Sequence, residues 1–360
     1  MPPPEAIAMT ASQILAIPSD RPDAIFTGDA ETVRARFAAL VKRWHPDHND
    51  GLREATLVFN KIVALHEKAK LRLGADPATA ADALRVKDSA GRSFDLTCKV
   101  RRPFELGELT VSHTKVGFVV DRSHNELFEN GIATLRSIRY PDAKVRIQME
   151  RFFPAPRGIY ETRDAKVAVF DKSEDIVVLS DLIAHMGGAL PAKHMAWVVS
   201  SLLNLCCFLE VCGLTNNAIS PETVLVTPTH HAAFTLSWWY AARAGSRVTL
   251  LPPSTFDLVP PSMARDKSAS IRLDLESVRA VGLACLGDPT GASLIGERSD
   301  AVLRTAMGRI DVPSSVSTWL RLPPAASAID DYRSWSEMAL PGFGPRRFLK
   351  LRITSRDIYI

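Results

Sequence analysis

Pro46 separates two stretches of helical periodicity, and this break constrains the first part of the fold more than any other feature. Proline cannot continue a helix and restricts the residue before it, so the first helix must end by His45. Apolar residues recur at helical spacing before the break, at Val33, Phe37, Leu40, Val41 and Trp44. A second apolar stripe follows the break, at Ala55, Val58, Phe59, Ile62, Leu65 and Ala69. Two helices with matching stripes bury them best against each other, so we expect an antiparallel helical hairpin.

The sequence pattern changes twice after this hairpin, which is predicted to occupy residues 11–74. Residues 75–91 are rich in alanine and polar side chains without a clear period, which is typical of a linker. Short runs with β-type alternation fill residues 92–182, around one helical insert. Helical patterns return over 183–350, beginning with a helix that is apolar nearly all round and therefore expected to be buried. The predicted fold is α+β: an all-α hairpin, then a β-rich small lobe and an α-rich large lobe.

Composition excludes several classes of protein. The chain is 46% hydrophobic and 23% charged, which is ordinary for globular domains and excludes a fibrous or fully disordered chain. A formal net charge of +4 is too small to indicate nucleic-acid binding by itself. Five cysteines without a CxxC pair predict neither a zinc site nor a disulfide framework, and they fit a reducing cytoplasm. No secretory signal and no clean membrane-spanning segment is expected.

A short motif lies at the tip of the predicted hairpin. His45, Pro46 and Asp47 follow a basic helix that ends in Trp44, and the next helix reads FNKIVALHEKA. Together with the ILAI segment near the start, these features resemble the J domain of DnaJ-type co-chaperones over residues 12–73. Proline restricts the backbone of such a loop, so the imidazole and the carboxylate would be displayed in a preset geometry.

The J-domain resemblance implies a protein partner, the ATPase domain of a DnaK-type chaperone. Asp47 would carry the stimulating signal and His45 would orient it. Arg36, Lys42 and Arg43 lie off the apolar stripe, and we expect them to form a positive solvent-exposed face that steers docking. The plainer alternative is that the tripeptide only stops a helix and turns the chain.

A second motif, GLTNNAISPETVLV, occupies residues 213–226. It resembles the catalytic-loop region of protein kinases, and the similarity extends over roughly residues 92–350. The resemblance implies a kinase-like N-lobe at 92–182 and a C-lobe at 183–350. The alternative is an unrelated α+β domain that contains a chance SPETVLV.

The chemical groups of a kinase catalytic loop are absent from this motif. The position of the catalytic base is Ala218, that of the metal-binding asparagine is Thr223, and that of the magnesium-binding aspartate is Ser237. A methyl group cannot accept a proton, so Ala218 cannot replace the base. Asp274 remains at a position that, in the family, braces the catalytic loop.

The lysine that holds the phosphates in kinases and the helix glutamate that pairs with this lysine are also replaced. The lysine position of the third strand falls near Val119, and the helix glutamate falls on Gly131, although Glu129 is near. The resemblance therefore implies a pseudokinase-like body that binds partners and performs no phosphotransfer.

These observations predict a cytoplasmic J-domain co-chaperone whose kinase-like body binds a client or another partner. No cofactor, metal, nucleic acid or membrane is expected to take part. Two alternatives stay open: an atypical phosphotransferase or nucleotide-binding protein, and a non-chaperone adaptor that presents only a basic helix. Residues 1–10 are expected to be disordered and residues 351–360 to form a C-terminal tail.

Overall fold

The computed structural model describes residues 9–17, 21–28, 30–44, 55, 57–59, 61–63, 65, 66, 69, 83–289, 291, 312–345 and 350–359. The chain divides into two compact units. One comprises Met1–Asp82 and Arg101–Phe104, and the other comprises Ala83–Val100 and Glu105–Ile360. Helices and antiparallel strands both occur, which confirms the predicted α+β class. The expected disorder of residues 1–10 falls almost entirely outside the described residues.

The first unit is helical where it is described, apart from residues 101–104. Helix α1 (Ala11–Leu15) begins with a capping box between Thr10 and Gln13, and a 3₁₀ turn follows at Pro22–Ala24. Helix α2 spans Ala30–Trp44. The residues described between 55 and 69 are also helical.

One hydrophobic core joins these helices, and its buried members are Ile14, Ile17, Ile25, Phe26, Val33, Leu40, Val58, Ile62, Leu65 and Ala69. Both predicted apolar stripes contribute to it, since each places side chains on one helix face at intervals of three and four residues. Phe37 and Trp44 are partly buried against the same core.

The second unit begins with a sheet. Six of its strands run in the order β2-β1-β6-β7-β5-β4, and every neighbouring pair is antiparallel. The strands that precede the helix-rich part are β1 (Ala83–Lys87), β2 (Ser93–Thr97), β3 (Val100–Phe104), β4 (Gly107–Val111), β5 (Lys115–Asp121), β6 (Gly158–Glu161) and β7 (Ala165–Asp171).

Strand β1 corrects the prediction of a linker over 75–91. Residues 83–87 pair with β2, and Arg85 forms an ion pair with Asp95 at 2.9 Å. Val86 is buried while its neighbours are not, which is the alternation of a strand. The strand was not predicted because this alternation is only a few residues long and follows a stretch rich in alanine. Residues 75–82 lie outside the described residues.

Helices connect β5 to β6. The predicted insert is helix α3 (Asn125–Ser137), preceded by a 3₁₀ turn at Arg122–His124. A second helix that the sequence analysis did not anticipate, α4 (Ala143–Met149), is capped by the Asp142 side chain and continues into a 3₁₀ turn at Glu150–Phe152.

The helix-rich part starts after β7. Its strands are β8 (Val177–Val178), β9 (Leu214–Thr215), β10 (Val224–Thr227), β11 (Ala232–Thr235) and β12 (Ala242–Arg243). Its helices are α5 (Leu179–His185), α6 (Ala192–Val211), α7 (Pro261–Asp266), α8 (Ile271–Cys285), α9 (Ser314–Arg321), α10 (Ala328–Ser334) and α11 (Ser355–Ile358). A 3₁₀ turn spans Pro253–Leu258, and a π turn at Trp335–Ala339 runs into a 3₁₀ turn at Leu340–Phe343.

Helix α6 forms the centre of this part and packs against α8, α10 and β11. Its length and apolar composition would suffice to cross a membrane, but 72% of its most apolar window is buried inside the fold. The expectation that this helix is buried is therefore confirmed.

Candidate functional site

The tripeptide His45, Pro46 and Asp47 lies outside the described residues, so the structure describes its flanks. Helix α2 reaches Trp44 on one side, and Ala55, the next described residue, is helical. Both flanking helices contribute side chains to one core. The tripeptide thus belongs to the connection between two packed helices.

Two of the three predicted basic residues are exposed on the last turn of α2. Lys42 and Arg43 point away from the core, and the Arg43 guanidinium lies 5.3 Å from the centre of the Trp44 ring. Cations on the last turn of a helix also interact favourably with its C-terminal dipole. The end of α2 therefore presents positive charge immediately before the tripeptide.

Arg36 does not belong to this exposed face, and the prediction that it does is wrong. Its side chain is buried, with Nη1 donating to the Ile25 carbonyl at 2.6 Å and to Thr27 Oγ1 at 2.9 Å. The helical spacing explains the error, because Arg36 follows Val33 by three residues and precedes Leu40 by four. Arg36 therefore secures the segment before α2.

In the second unit, Asp274 of α8 binds the backbone of the loop at residues 216–223. The buried Asp274 carboxylate accepts hydrogen bonds from the backbone N–H groups of Asn216 and Asn217, at 2.8 and 2.7 Å. Burial raises the pKa of Asp274 to about 7, although both hydrogen bonds act in the opposite direction. A carboxylate that braces this loop is the role that the sequence resemblance implies for this position.

The two asparagine side chains tie the same loop to residues 237–240. Asn216 Nδ2 donates to the Ser237 carbonyl and Asn217 Nδ2 donates to the Tyr240 carbonyl, each at 2.9 Å. Asn217 has a φ of +63°, a left-handed conformation that asparagine tolerates better than most residues. These two asparagines lie just before Ala218, at the positions where the kinase resemblance implies a histidine and an arginine, and here their amides hold the backbone in place.

The three positions expected to have lost catalytic groups are all buried. Thr223 Oγ1 accepts from Ser220 N at 2.9 Å and donates to the Ala218 carbonyl at 2.6 Å, so it closes the loop on itself. Ala218 is fully buried, and Ser237 is 1% exposed. Within the described part of the chain, Ser237 Oγ has no hydrogen-bond partner. Buried methyl and hydroxyl groups supply neither a general base nor a metal-binding carboxylate.

Val119, the predicted lysine position, lies on the opposite face of the sheet from helix α3. It packs against Val86 and Val167. The next residue, Val120, is paired with Lys166 of β7, whose Nζ forms an ion pair with Glu129 of α3. Successive side chains of a strand point to opposite faces, so Val119 points away from that ion pair. Glu129 could be singled out from the sequence, whereas Lys166 could not, because only the strand register reveals their proximity.

Gly131 is a glycine because a tryptophan fills the space in front of it. A Cβ atom at Gly131 would lie 2.9 Å from Trp239 Cζ3 and closer still to Cε3. The fully buried Trp239 ring stacks on Phe128 at 5.5 Å and meets Phe118 edge-on at 5.3 Å. Asn130 Nδ2 donates to the Trp239 carbonyl at 2.9 Å. Aromatic packing therefore occupies the place where the resemblance would put a glutamate.

Two carboxyl groups influence each other near the loop. Burial raises the pKa of Glu105, in the turn between β3 and β4, and the Glu222 carboxylate raises it further. Elsewhere in the described ranges, no three His, Cys, Asp or Glu side chains are grouped so that they could hold a metal ion.

No family model matches this chain, and no curated protein is similar to it. The function must therefore be inferred from its own residues.

Proposed function

We propose that the chain is a J-domain co-chaperone that recruits a DnaK-type chaperone and stimulates its ATPase. In this proposal residues 11–74 form the J domain, and residues 92–350 form a kinase-like body that binds a client or another partner. Hydrolysis would take place in the chaperone, and this chain would supply no ATP site for it.

The observation that carries the proposal is the sequence His45-Pro46-Asp47 between two helices that share a core. Lys42 and Arg43 are exposed immediately before it and would steer this end of α2 towards a negative surface. A loop that served only to turn the chain would need neither the imidazole nor the carboxylate.

The kinase-like part of the proposal is supported by the order of elements and by one bracing contact. A strand-rich part with a helix between β5 and β6 precedes a helix-rich part, and Asp274 binds the backbone of the loop at 216–223. The loss of chemistry is supported by Ala218, Thr223 and Ser237, whose side chains are buried and provide no carboxylate.

The phosphotransferase alternative is disfavoured by the residue types at the kinase-like positions. Ala218, Thr223 and Ser237 provide no carboxylate that could hold magnesium, and Trp239 fills the space in front of Gly131. A thermal-shift titration with ATP and magnesium tests it directly: we expect no change of melting temperature, whereas a saturable rise would favour nucleotide binding.

A pull-down with the full chain and its Asp47→Asn variant tests the proposed function. In the presence of ATP, we expect the wild-type chain to retain a DnaK-type ATPase and the variant to lose at least nine tenths of it. His45→Gln should behave like Asp47→Asn. Asp257→Asn makes the same change at an exposed aspartate of the second unit and should retain the chaperone. Equal retention by all four proteins, or by none, would contradict the proposal and favour a non-chaperone adaptor.

A further inference from the structure

Residues 351–360 were expected to form a tail, but the described residues 350–359 are packed on the rest of the second unit. They lie against residues 172–181, which run from the end of β7 through β8 into the first turn of α5. Helix α11 has a capping box of its own, in which Thr354 N donates to Asp357 Oδ2 at 2.8 Å. The segment is thus locally ordered and held by specific contacts.

The first set of contacts surrounds Glu174. The backbone N–H of Ser355 donates to the Glu174 carbonyl at 2.7 Å. The Arg356 guanidinium donates to both oxygens of the Glu174 carboxylate, at 2.8 and 2.7 Å. A bidentate pair of this kind requires the planar guanidinium, which lysine lacks. The Arg356 and Glu174 side chains are 69% and 41% exposed, so the pair lies at the solvent edge of the contact.

The second set of contacts surrounds the Tyr359 hydroxyl. It accepts a hydrogen bond from Val178 N at 3.0 Å and donates to Asp181 Oδ2 at 2.8 Å. Tyr359 is only 2% exposed, and its ring centre lies 5.7 Å from Lys172 Nζ. A phenylalanine at this position would leave both the Val178 N–H and the Asp181 carboxylate without this partner, so the site favours tyrosine.

Lys172 fixes the floor of this site. Its Nζ donates to the carbonyls of His113 and Ile176, at 2.8 and 2.9 Å. The Ser355 hydroxyl also donates to the His113 carbonyl, at 3.4 Å. Since His113 lies between β4 and β5 and Val178 leads into α5, the bound segment contacts both the sheet and the helix-rich part.

We propose that residues 172–181 form a peptide-binding groove for segments in which an arginine is followed three residues later by a tyrosine. The chain's own residues 355–359 are its resident ligand and are exchangeable. An open cavity of about 260 Å³ adjoins Tyr359 and His185, so the groove extends beyond the part that the segment fills. The proposal does not depend on the J-domain function.

Peptide binding in trans to the full chain tests the groove. The double variant Arg356→Ala, Tyr359→Ala weakens the resident segment, and the probe is a fluorescein-labelled peptide of residues 350–360, KLRITSRDIYI. By fluorescence anisotropy we expect saturable binding to the double variant and at least tenfold weaker binding to the wild type. A peptide with alanine at both positions should bind the double variant at least tenfold more weakly. Absence of binding, or equal binding of the two peptides, would overturn the proposal.

A charge reversal keeps the test independent of misfolding. Glu174→Arg added to the double variant should reduce binding of the wild-type peptide at least tenfold, and a peptide with glutamate in place of Arg356 should restore it. Glu337→Arg makes the same change at an exposed glutamate of the π turn and should leave peptide binding unchanged. If the peptide with glutamate in place of Arg356 fails to restore binding, Glu174 does not recognise the arginine and the proposal is contradicted.

Discussion

Replacing Asp274 with alanine tests how strongly the second unit depends on the loop at 216–223. The Asp274 carboxylate is the acceptor for the backbone N–H groups of Asn216 and Asn217, and all three residues are fully buried. A buried donor left without an acceptor costs about 1–3 kcal/mol. Because two donors are affected, we expect the free energy of unfolding to fall by about 2–6 kcal/mol at a pH near 8.

The effect of Asp274 on stability also depends on pH. Burial raises the pKa of Asp274 to about 7 in the folded chain, so the folded state binds this proton more tightly than the unfolded state does. The stabilisation that results is complete below the ordinary pKa of an aspartate. It is lost as the pH rises through about 7. Between about pH 5 and pH 8 the change amounts to about 2–3 kcal/mol. Asp274→Asn does not titrate and keeps a carbonyl acceptor, so the wild type should lose this amount relative to the asparagine variant.

Urea unfolding followed by tryptophan fluorescence measures both effects. Trp238 and Trp239, two of the six tryptophans, are fully buried next to the loop, so their exposure contributes to the change of emission on unfolding. An alanine variant that loses less than about 1 kcal/mol at both pH values would refute the argument from unpaired donors. A difference between the wild type and Asp274→Asn that stays constant with pH would refute the argument from the raised pKa.

Three further substitutions test individual contacts by the same unfolding measurement. Arg279→Ala breaks a buried bidentate pair with Asp331, at 2.7 and 2.8 Å, and should cost about 3–5 kcal/mol; a loss below about 1 kcal/mol would contradict this. Gly131→Leu forces a side chain into the Trp239 ring and should cost about 1–3 kcal/mol or more; unchanged stability would show that the ring moves freely. Arg36→Gln leaves the buried Ile25 carbonyl without its donor and should lower the free energy of unfolding by about 1–3 kcal/mol; no loss would contradict a structural role for this hydrogen bond.

Each of these substitutions has a control at an exposed position. Arg333→Ala removes an exposed ion pair with Asp330 and should change stability by less than about 1 kcal/mol. Ala133→Leu places the same side chain on the exposed side of α3, and Lys42→Gln changes an exposed residue of α2. Both should leave the unfolding transition nearly unchanged.

The core of the first unit could be predicted from the sequence because it depends on local periodicity. Val33 and Leu40 on α2, and Val58 and Ile62 on the other side of Pro46, are buried as their spacing predicts. The same reasoning failed for Arg36, because hydrophobicity alone does not show that a long cationic side chain on the margin of the stripe will reach a buried carbonyl.

The second unit was less predictable because its decisive contacts join residues that are distant in the chain. The residue types at Ala218 and Ser237 predict no catalytic group at either position, whereas the burial of both positions is visible only in the structure. The Lys166–Glu129 ion pair and the hydrogen bond from Tyr359 to Asp181 depend on strand register and on tertiary packing. No local pattern contains that information.

The proposed co-chaperone function is tested by the rate of ATP hydrolysis of a purified DnaK-type chaperone, measured against increasing concentrations of the full chain. We expect a saturable increase with the wild-type chain, no increase with Asp47→Asn, and no hydrolysis by the chain alone. A rate that stays flat with the wild type, or rises equally with both chains, would contradict the proposed co-chaperone function.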